Sequence, residues 1–259
     1  MTTEDINSNL RKLETLVVVA NKMSGSLHGF CTSSYRQFFA SIVFAKVIVQ
    51  FSSFLAIVKS SQKQDSKNIS FPIDIASTAS ILRSIVELYR VFYYGAIDNV
   101  DDNEIELRRL KFKLKSTYDI KKIVENFNSP SSIENEGSNN GDSLDEEIRI
   151  LKNEIEKNKA FARLDKQKKD SCLNECRAMY VKDSEIEERA GLDKKSQDAM
   201  YIFLSSEVHA NPLAIEQTVG NITNSEFAQL TLVILLDYAI DYLKRYIREI
   251  AKLFPEHKI

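Results

Sequence analysis

Scarcity of glycine and proline is the feature that most constrains how this chain can fold. Its 259 residues include only seven glycines and four prolines, about 4%, where globular proteins average roughly 12%. Because these two residues supply turns and end regular elements, the chain must consist of long, uninterrupted segments. Apolar residues recur at helical spacing, and no segment shows a strong two-residue alternation. The sequence therefore predicts an all-α bundle of about six or seven helices.

The N-terminal part of this bundle, residues 1–100, is predicted to hold three helices. Helical spacing and start signals place them at residues 2–23, 34–61 and 72–97. The second helix is apolar on nearly every side and long enough to span a bilayer. Lys46 and Gln50 lie at its middle, however, where a charge is costly in lipid. We therefore expect a helix in the centre of the bundle, and no membrane.

Composition changes after Asp101, where residues 101–127 hold six acidic and seven basic residues. A capping box from Ser143 to Glu146 starts a second charged helix, which we expect to continue toward Tyr180 and to pair with the first as a long charged hairpin. This insertion, residues 101–180, divides the bundle, whose C-terminal part is residues 181–259. Balanced charge favours a solvated hairpin that contacts a protein partner over a nucleic-acid clamp formed by Lys111, Lys113, Lys115, Lys166, Lys168 and Lys169.

Cysteine usage and net charge set the expected compartment and exclude several classes of function. Three cysteines in a long chain do not form a disulfide framework. Cys172 and Cys176 would lie one helical turn apart as ordinary thiols, because too few other ligands are near for a zinc site. No leader segment is evident, so we expect a cytoplasmic protein. The net charge of −2 argues against a nucleic-acid coat, and no motif indicates a cofactor or a metal.

The segment of residues 80–94 is the first candidate site. Arg83, Glu87, Arg90 and Tyr94 recur along one stripe of a helix that is otherwise apolar. A charged stripe on a buried helix must be paired or must line a cleft. One interpretation is an internal ion pair between Arg83 and Glu87 that fixes the helix register. The other interpretation is a functional site.

The second candidate segment covers residues 201–212. Tyr201, Ser205 and His209 recur every four residues on one helix face, and Asn211 follows just before the proline at which the helix must have ended. His209 is either a structural histidine bound to a carboxylate such as Glu87, or a general acid/base. In the second interpretation, His209, Arg83 and Glu87 are the candidate catalytic residues, and the candidate ligand-binding residues are Arg90, Tyr94, Tyr201, Ser205 and Asn211.

These two segments together resemble the bacterial family catalogued as domain of unknown function 5677. The matching residues are Arg83 and Glu87 on one helix, then Tyr201, Ser205, His209 and Pro212 on a later one. That family is similar to the all-helical HEPN group (higher eukaryotes and prokaryotes nucleotide-binding). The resemblance implies a metal-independent ribonuclease of the toxin–antitoxin or anti-phage type that acts on RNA as a homodimer.

The sequence departs from the HEPN pattern in one respect, the position of the arginine that accompanies the histidine. Active HEPN ribonucleases carry an arginine shortly before the histidine on the same helix, whereas residues 201–208 contain none. Activity would therefore require Arg83 or Arg90 to reach the site from a neighbouring helix. The alternative function is a non-catalytic module that binds a protein partner or a small ligand, in which the Arg–Glu–His cluster is structural. Solvent access to the cluster separates the two hypotheses.

Overall fold

The structure is a computed structural model that describes residues 3–29, 32, 34–63, 74–127, 139–174, 177–209 and 212–256. Within these ranges the chain is all-α, as predicted, and contains no strand. In chain order the helices are α1 Thr3–Leu27, α2 Tyr35–Lys63, α3 Ile75–Phe92, α4 Asp102–Phe127, α5 Asn139–Lys157, α6 Lys159–Ala162, α7 Lys166–Leu173, α8 Asp183–Arg189, α9 Lys194–His209, α10 Pro212–Thr223 and α11 Ser225–Leu253, with a π-helical turn at Tyr93–Ile97 after α3.

Eleven α-helices in the described ranges exceed the predicted six or seven, because the second charged helix is interrupted. The expected continuous helix toward Tyr180 ends at Lys157 instead. Asn158 and Asp165 then act as N-caps, accepting hydrogen bonds from the backbone N–H groups of Ala160 and Lys168. Each cap starts a new short helix because it satisfies an otherwise unpaired N–H group. Helix α10, which begins at Pro212, was also not predicted.

The chain forms two compact units. Unit 1 combines residues 1–97 with 187–259, and unit 2 is residues 98–186. In unit 1, α1 packs on α2 and α11, and α3 packs on α2, α9 and α11. Aliphatic and aromatic side chains of these helices form one buried core. Helix α3 therefore lies among three other helices, and this position brings its charged stripe against α9.

Helix α2 is the one helix within the described ranges that is long and apolar enough to cross a membrane. In its most apolar stretch, 44% of the residues are buried inside the protein. The prediction that it is enclosed on nearly every side is wrong, since Phe38, Ile42 and Val49 are exposed on one face. Its other faces pack on α1, α3 and α11, which is the packing expected of a core helix.

Helix α3 has a defined start and an irregular end. The Asp74 carboxylate caps it by accepting a hydrogen bond from the Ser77 backbone N–H at 2.9 Å, which satisfies one of the helix's orphan donors. At its other end the backbone widens into the π-helical turn. Gly95 in this turn lies against the Phe39 ring so closely that a Cβ atom there would clash with the ring. Glycine is therefore required where α2 and the π-helical turn meet.

Unit 2 contains an antiparallel helix pair with a buried charge cluster. Lys113 on α4 pairs with Glu147 on α5 at 3.0 Å. Arg108, which has no exposed surface, contacts Asp98 at 2.8 Å and Glu104 at 3.1 Å. These interactions hold α4 to α5 and to the segment that leads into α4.

Most lysines of the hypothetical nucleic-acid clamp are occupied inside unit 2. Lys111 is buried and donates to the Asn174 carbonyl at 2.5 Å. Lys113, Lys115 and Lys168 each pair with a carboxylate. These contacts reduce the positive charge that the lysines of the clamp could offer to a nucleic acid.

One cysteine of the predicted pair of thiols is described by the structure. Cys172 lies in α7, which ends at Leu173. Cys176, like Cys31, lies outside the described residues. Burial raises the pKa of the Cys172 thiol to about 12, so this thiol stays protonated and unreactive at neutral pH.

Replacing Arg108 tests the buried cluster of unit 2. Arg108→Met keeps most of the side-chain volume but removes the cation that Asp98 and Glu104 contact, so we expect the free energy of unfolding to fall by about 3–5 kcal/mol. The control is Arg109→Met, because Arg109 pairs with Glu106 on the surface and should contribute at most about 1 kcal/mol. Urea denaturation followed by circular dichroism measures both, and equal losses would contradict the assignment.

Candidate functional site

Helix α9 is anchored before it reaches the candidate site residues. Asp193 accepts a hydrogen bond from the Ser196 backbone N–H at 2.8 Å at the start of the helix. The buried Gln197 then accepts hydrogen bonds from the Tyr238 and Tyr242 hydroxyls of α11, both at 2.7 Å. Burial raises the pKa of both phenols, so both remain donors at neutral pH. Sequence reasoning missed this anchor, because a glutamine near a helix start carries no signal of its partners.

Arg83 is the residue at which α3 and α9 meet. Its Nε donates to Glu87 Oε1 at 2.9 Å, within α3. Its Nη1 lies 3.2 Å from His209 Nε2, and its Nη2 donates to the Tyr201 hydroxyl at 3.4 Å, both on α9. The structure therefore brings together four of the predicted site residues through one guanidinium group.

The cluster around Arg83 is open to solvent. Tyr201 is 41% exposed, His209 is exposed, and the Glu87 side chain retains 48% of its surface against 17% for Arg83. The structural interpretation had His209 bound to a buried carboxylate, with Glu87 as the candidate. Neither part of that expectation holds, because Glu87 is exposed and the contact of His209 that the structure gives is with Arg83.

The Arg83 contact bears on the tautomer of His209. A guanidinium group can only donate hydrogen bonds and stays charged in proteins. A hydrogen bond from Arg83 Nη1 to His209 Nε2 requires the tautomer that carries its proton on Nδ1 and its lone pair on Nε2. A neutral imidazole beside a fixed cation is chemically competent to accept a proton from a bound group, provided that Nε2 can be released.

Arg90 has a different environment from Arg83. It is buried, and its Nε and Nη2 contact Glu187 Oε1 at 2.8 and 2.5 Å. The guanidinium carbons of Arg90 and Arg83 each lie 5.3 Å from the centre of the Tyr201 ring, within cation–π distance. Arg90 thus supports Tyr201 from the protein interior, whereas Arg83 faces the open side.

Glu187 is a site residue that no local pattern in the sequence singles out. The spacing of Ser184 and Glu187 is that of a capping box, and Gly191 follows the short helix α8 with φ +64°, as a C-terminal glycine commonly does. The Glu187 carboxylate instead pairs with Arg90, 97 residues earlier. The charged stripe of α3 was the available sequence signal for such a partner, because a buried arginine requires a carboxylate from another element.

The remaining predicted ligand-binding residues are less accessible. Tyr94 is fully buried in the π-helical turn, so its ring does not reach a ligand that enters from solvent. The Ser205 hydroxyl oxygen is buried and makes no hydrogen bond to any described residue. Asn211 lies outside the described residues. In the described ranges, no group of three or more His, Cys, Asp or Glu side chains could hold a metal ion.

Comparisons with known proteins identify no relative. No protein-family model matches the chain, and neither a curated protein nor a solved structure does. The resemblance drawn from the two helices therefore stays a prediction.

The two Arg–Glu pairs of the site should contribute very differently to stability. Glu187→Ala removes the carboxylate from a buried arginine, so we expect a loss of about 3 kcal/mol or more in the free energy of unfolding. Glu87→Ala breaks an exposed pair four residues apart on one helix and should cost less than about 1 kcal/mol. Urea denaturation of the two variants measures the difference, and a larger loss for Glu87→Ala would contradict the burial assigned to each pair.

Glu207 should make stability depend on pH. Its side chain is 7% exposed, and burial raises the pKa of its carboxyl group. The folded state therefore binds this proton more tightly than the unfolded state, so the stabilisation present at low pH is lost as the pH rises. Glu207→Gln stays neutral, and we expect its melting temperature to exceed that of the wild type by more at pH 8 than at pH 4. The exposed Glu216→Gln should show no such divergence, and a constant gap for Glu207→Gln would contradict its burial.

Proposed function

We propose that the protein is a HEPN-like, metal-independent ribonuclease of the toxin-type effector class, with His209 as the general acid/base. The observation that carries the proposal is the 3.2 Å contact between Arg83 Nη1 and His209 Nε2. Through this contact, Arg83 of α3 would take the place of the arginine that α9 lacks. We also propose that the protein is related to the bacterial family that the two helices resemble, that it is cytoplasmic, and that it acts as a homodimer.

The chemistry requires only groups that this cluster contains. RNA carries its own nucleophile, the ribose 2′-hydroxyl, so a base and an anion clamp suffice and no metal-activated water is needed. His209 Nε2 would accept the 2′-hydroxyl proton as O2′ attacks phosphorus to form a 2′,3′-cyclic phosphate, and the departing 5′-oxygen would take a proton from solvent water. Arg83 would stabilise the charge that develops on the phosphate oxygens. Tyr201, supported by Arg90, would position the adjoining ribose or base, and Glu87 would orient Arg83 in the free protein.

A second candidate function is a binding module without catalysis. Its support is the balance of charge in the cluster, where Arg83 and Arg90 face Glu87 and Glu187. A balanced site exerts little attraction on a polyanion such as RNA. In this alternative the cluster fixes helix register or holds a small ligand, and the charged hairpin of residues 101–180 contacts a protein partner.

Incubation of the purified protein with total RNA in EDTA tests the first proposal. We expect cleavage by the wild type and a loss of at least about 100-fold in His209→Ala, the range for a removed general acid/base. Arg83→Lys should lose activity as well, since a lysine does not reproduce the guanidinium fork. A DNA strand of matching sequence should stay intact, because it has no 2′-hydroxyl.

The matched control is His28→Ala, since His28 is exposed in a turn of unit 1 and far from the cluster in sequence. This variant should cleave RNA as the wild type does. Equal cleavage by His209→Ala and the wild type would contradict the assigned site. Intact RNA with the wild type, including after addition of candidate protein partners, would favour the binding module.

A further inference from the structure

The Arg83–Glu87 pair has the properties of a contact that a ligand can replace. Glu87 binds Arg83 through Nε, on the exposed side, while the two Nη atoms are directed at His209 and Tyr201. The carboxylate keeps 48% of its surface, so water already competes for it. An exposed pair of this kind contributes little net free energy, and its replacement by another anion is therefore inexpensive.

We propose that the Glu87 carboxylate is an internal substitute for the anionic phosphate group of the ligand, and that it weakens binding by competing for Arg83. The inference rests on the proposed function in one respect, that the ligand carries a phosphate. In the free protein Glu87 neutralises Arg83 and holds its guanidinium in place. A phosphate that enters the cluster displaces the carboxylate, which turns outward into solvent.

Glu87 is the carboxylate of the cluster that can act in this way. Glu187 is buried on Arg90, so its departure would leave a cation unpaired in the protein interior. Glu87, like Tyr201 and His209, is exposed, so its carboxylate can turn into solvent when a phosphate takes its place on Arg83. The exchange is one carboxylate for one phosphate, and the arginine stays paired throughout.

Displacement of Glu87 would leave the contact between Arg83 and His209 in place. Glu87 accepts a hydrogen bond from Nε, whereas Nη1 lies 3.2 Å from His209 Nε2. A phosphate that replaces the carboxylate on Nε is therefore held by the same guanidinium group that contacts His209.

The test compares Glu87→Gln with a variant that has a closely matched pair elsewhere in unit 1. Asp241 and Arg245 on α11 are also four residues apart, at 2.8 Å, with side chains 53% and 23% exposed. Asp241→Asn therefore removes the same charge from a similar pair outside the cluster. Inorganic phosphate is titrated at constant ionic strength, and binding is followed through the Arg83 Nε–H resonance, which is identified by its absence in Arg83→Lys.

We expect Glu87→Gln to bind inorganic phosphate about five- to tenfold more tightly than the wild type, the effect of removing a like charge about 4 Å away in water. Asp241→Asn should match the wild type. Equal gains in both variants would show a general charge effect and overturn the proposal. Weaker or undetectable binding by Glu87→Gln also overturns it, as does a gain that Glu87→Ala fails to reproduce.

A parallel arm with single-stranded RNA in EDTA separates this inference from the proposed function. If phosphate affinity changes as expected while RNA stays intact with the wild type and both Glu87 variants, the ribonuclease proposal fails and the role of Glu87 stands. If His209-dependent cleavage occurs but phosphate affinity does not change in Glu87→Gln, the ribonuclease proposal stands and the role of Glu87 is overturned.

Discussion

A buried cation must be paired, and unit 1 satisfies this requirement for Arg90 with Glu187. That ion pair ties α3 to the residues with which the chain re-enters unit 1 after unit 2. Once α8 is fixed there, α9 follows within a few residues and is held on α11 by Gln197. Tyr201 and His209 both lie on α9. Their positions opposite Arg83 therefore depend on the Arg90–Glu187 ion pair and on the hydrogen bonds of Gln197, which together place α9. A charge deep in the protein thus determines the geometry of a cluster at its surface.

The open cluster is assembled from residues that are far apart in the chain. Arg83 and His209 are 126 positions apart, and they meet because α3 packs against α9. A site built on two helices differs chemically from one built on a single helix, because the relative position of arginine and histidine follows the packing of the helices and not a fixed spacing. In such a site, small shifts between α3 and α9 alter the contact between Arg83 and His209.

Helical periodicity alone was sufficient to predict the fold class and the two helices that carry the site. It also placed Arg83 and Glu87 four residues apart on one face, the spacing at which they pair. It could not identify Glu187 or Gln197, because their partners lie on other helices and no local pattern encodes those contacts. The prediction of one long second helix in the insertion was wrong for a local reason, since it placed Asn158 and Asp165 in a helix interior although both residue types favour N-caps. Exposure of Glu87 likewise depends on tertiary packing, which the apolar stripe beside it did not reveal.

The interruption of unit 1 by unit 2 has a consequence for synthesis on the ribosome. Unit 2 is continuous, and its residues 98–186 are all synthesised before helices α9, α10 and α11 of unit 1. Unit 1 pairs α1 with α11, so its core cannot close until α11 has emerged. Contacts of such long sequence separation form slowly, because a large loop must close first. The apolar faces of α1, α2 and α3 therefore stay exposed until α11 has been synthesised. During this interval the chain most needs protection from aggregation.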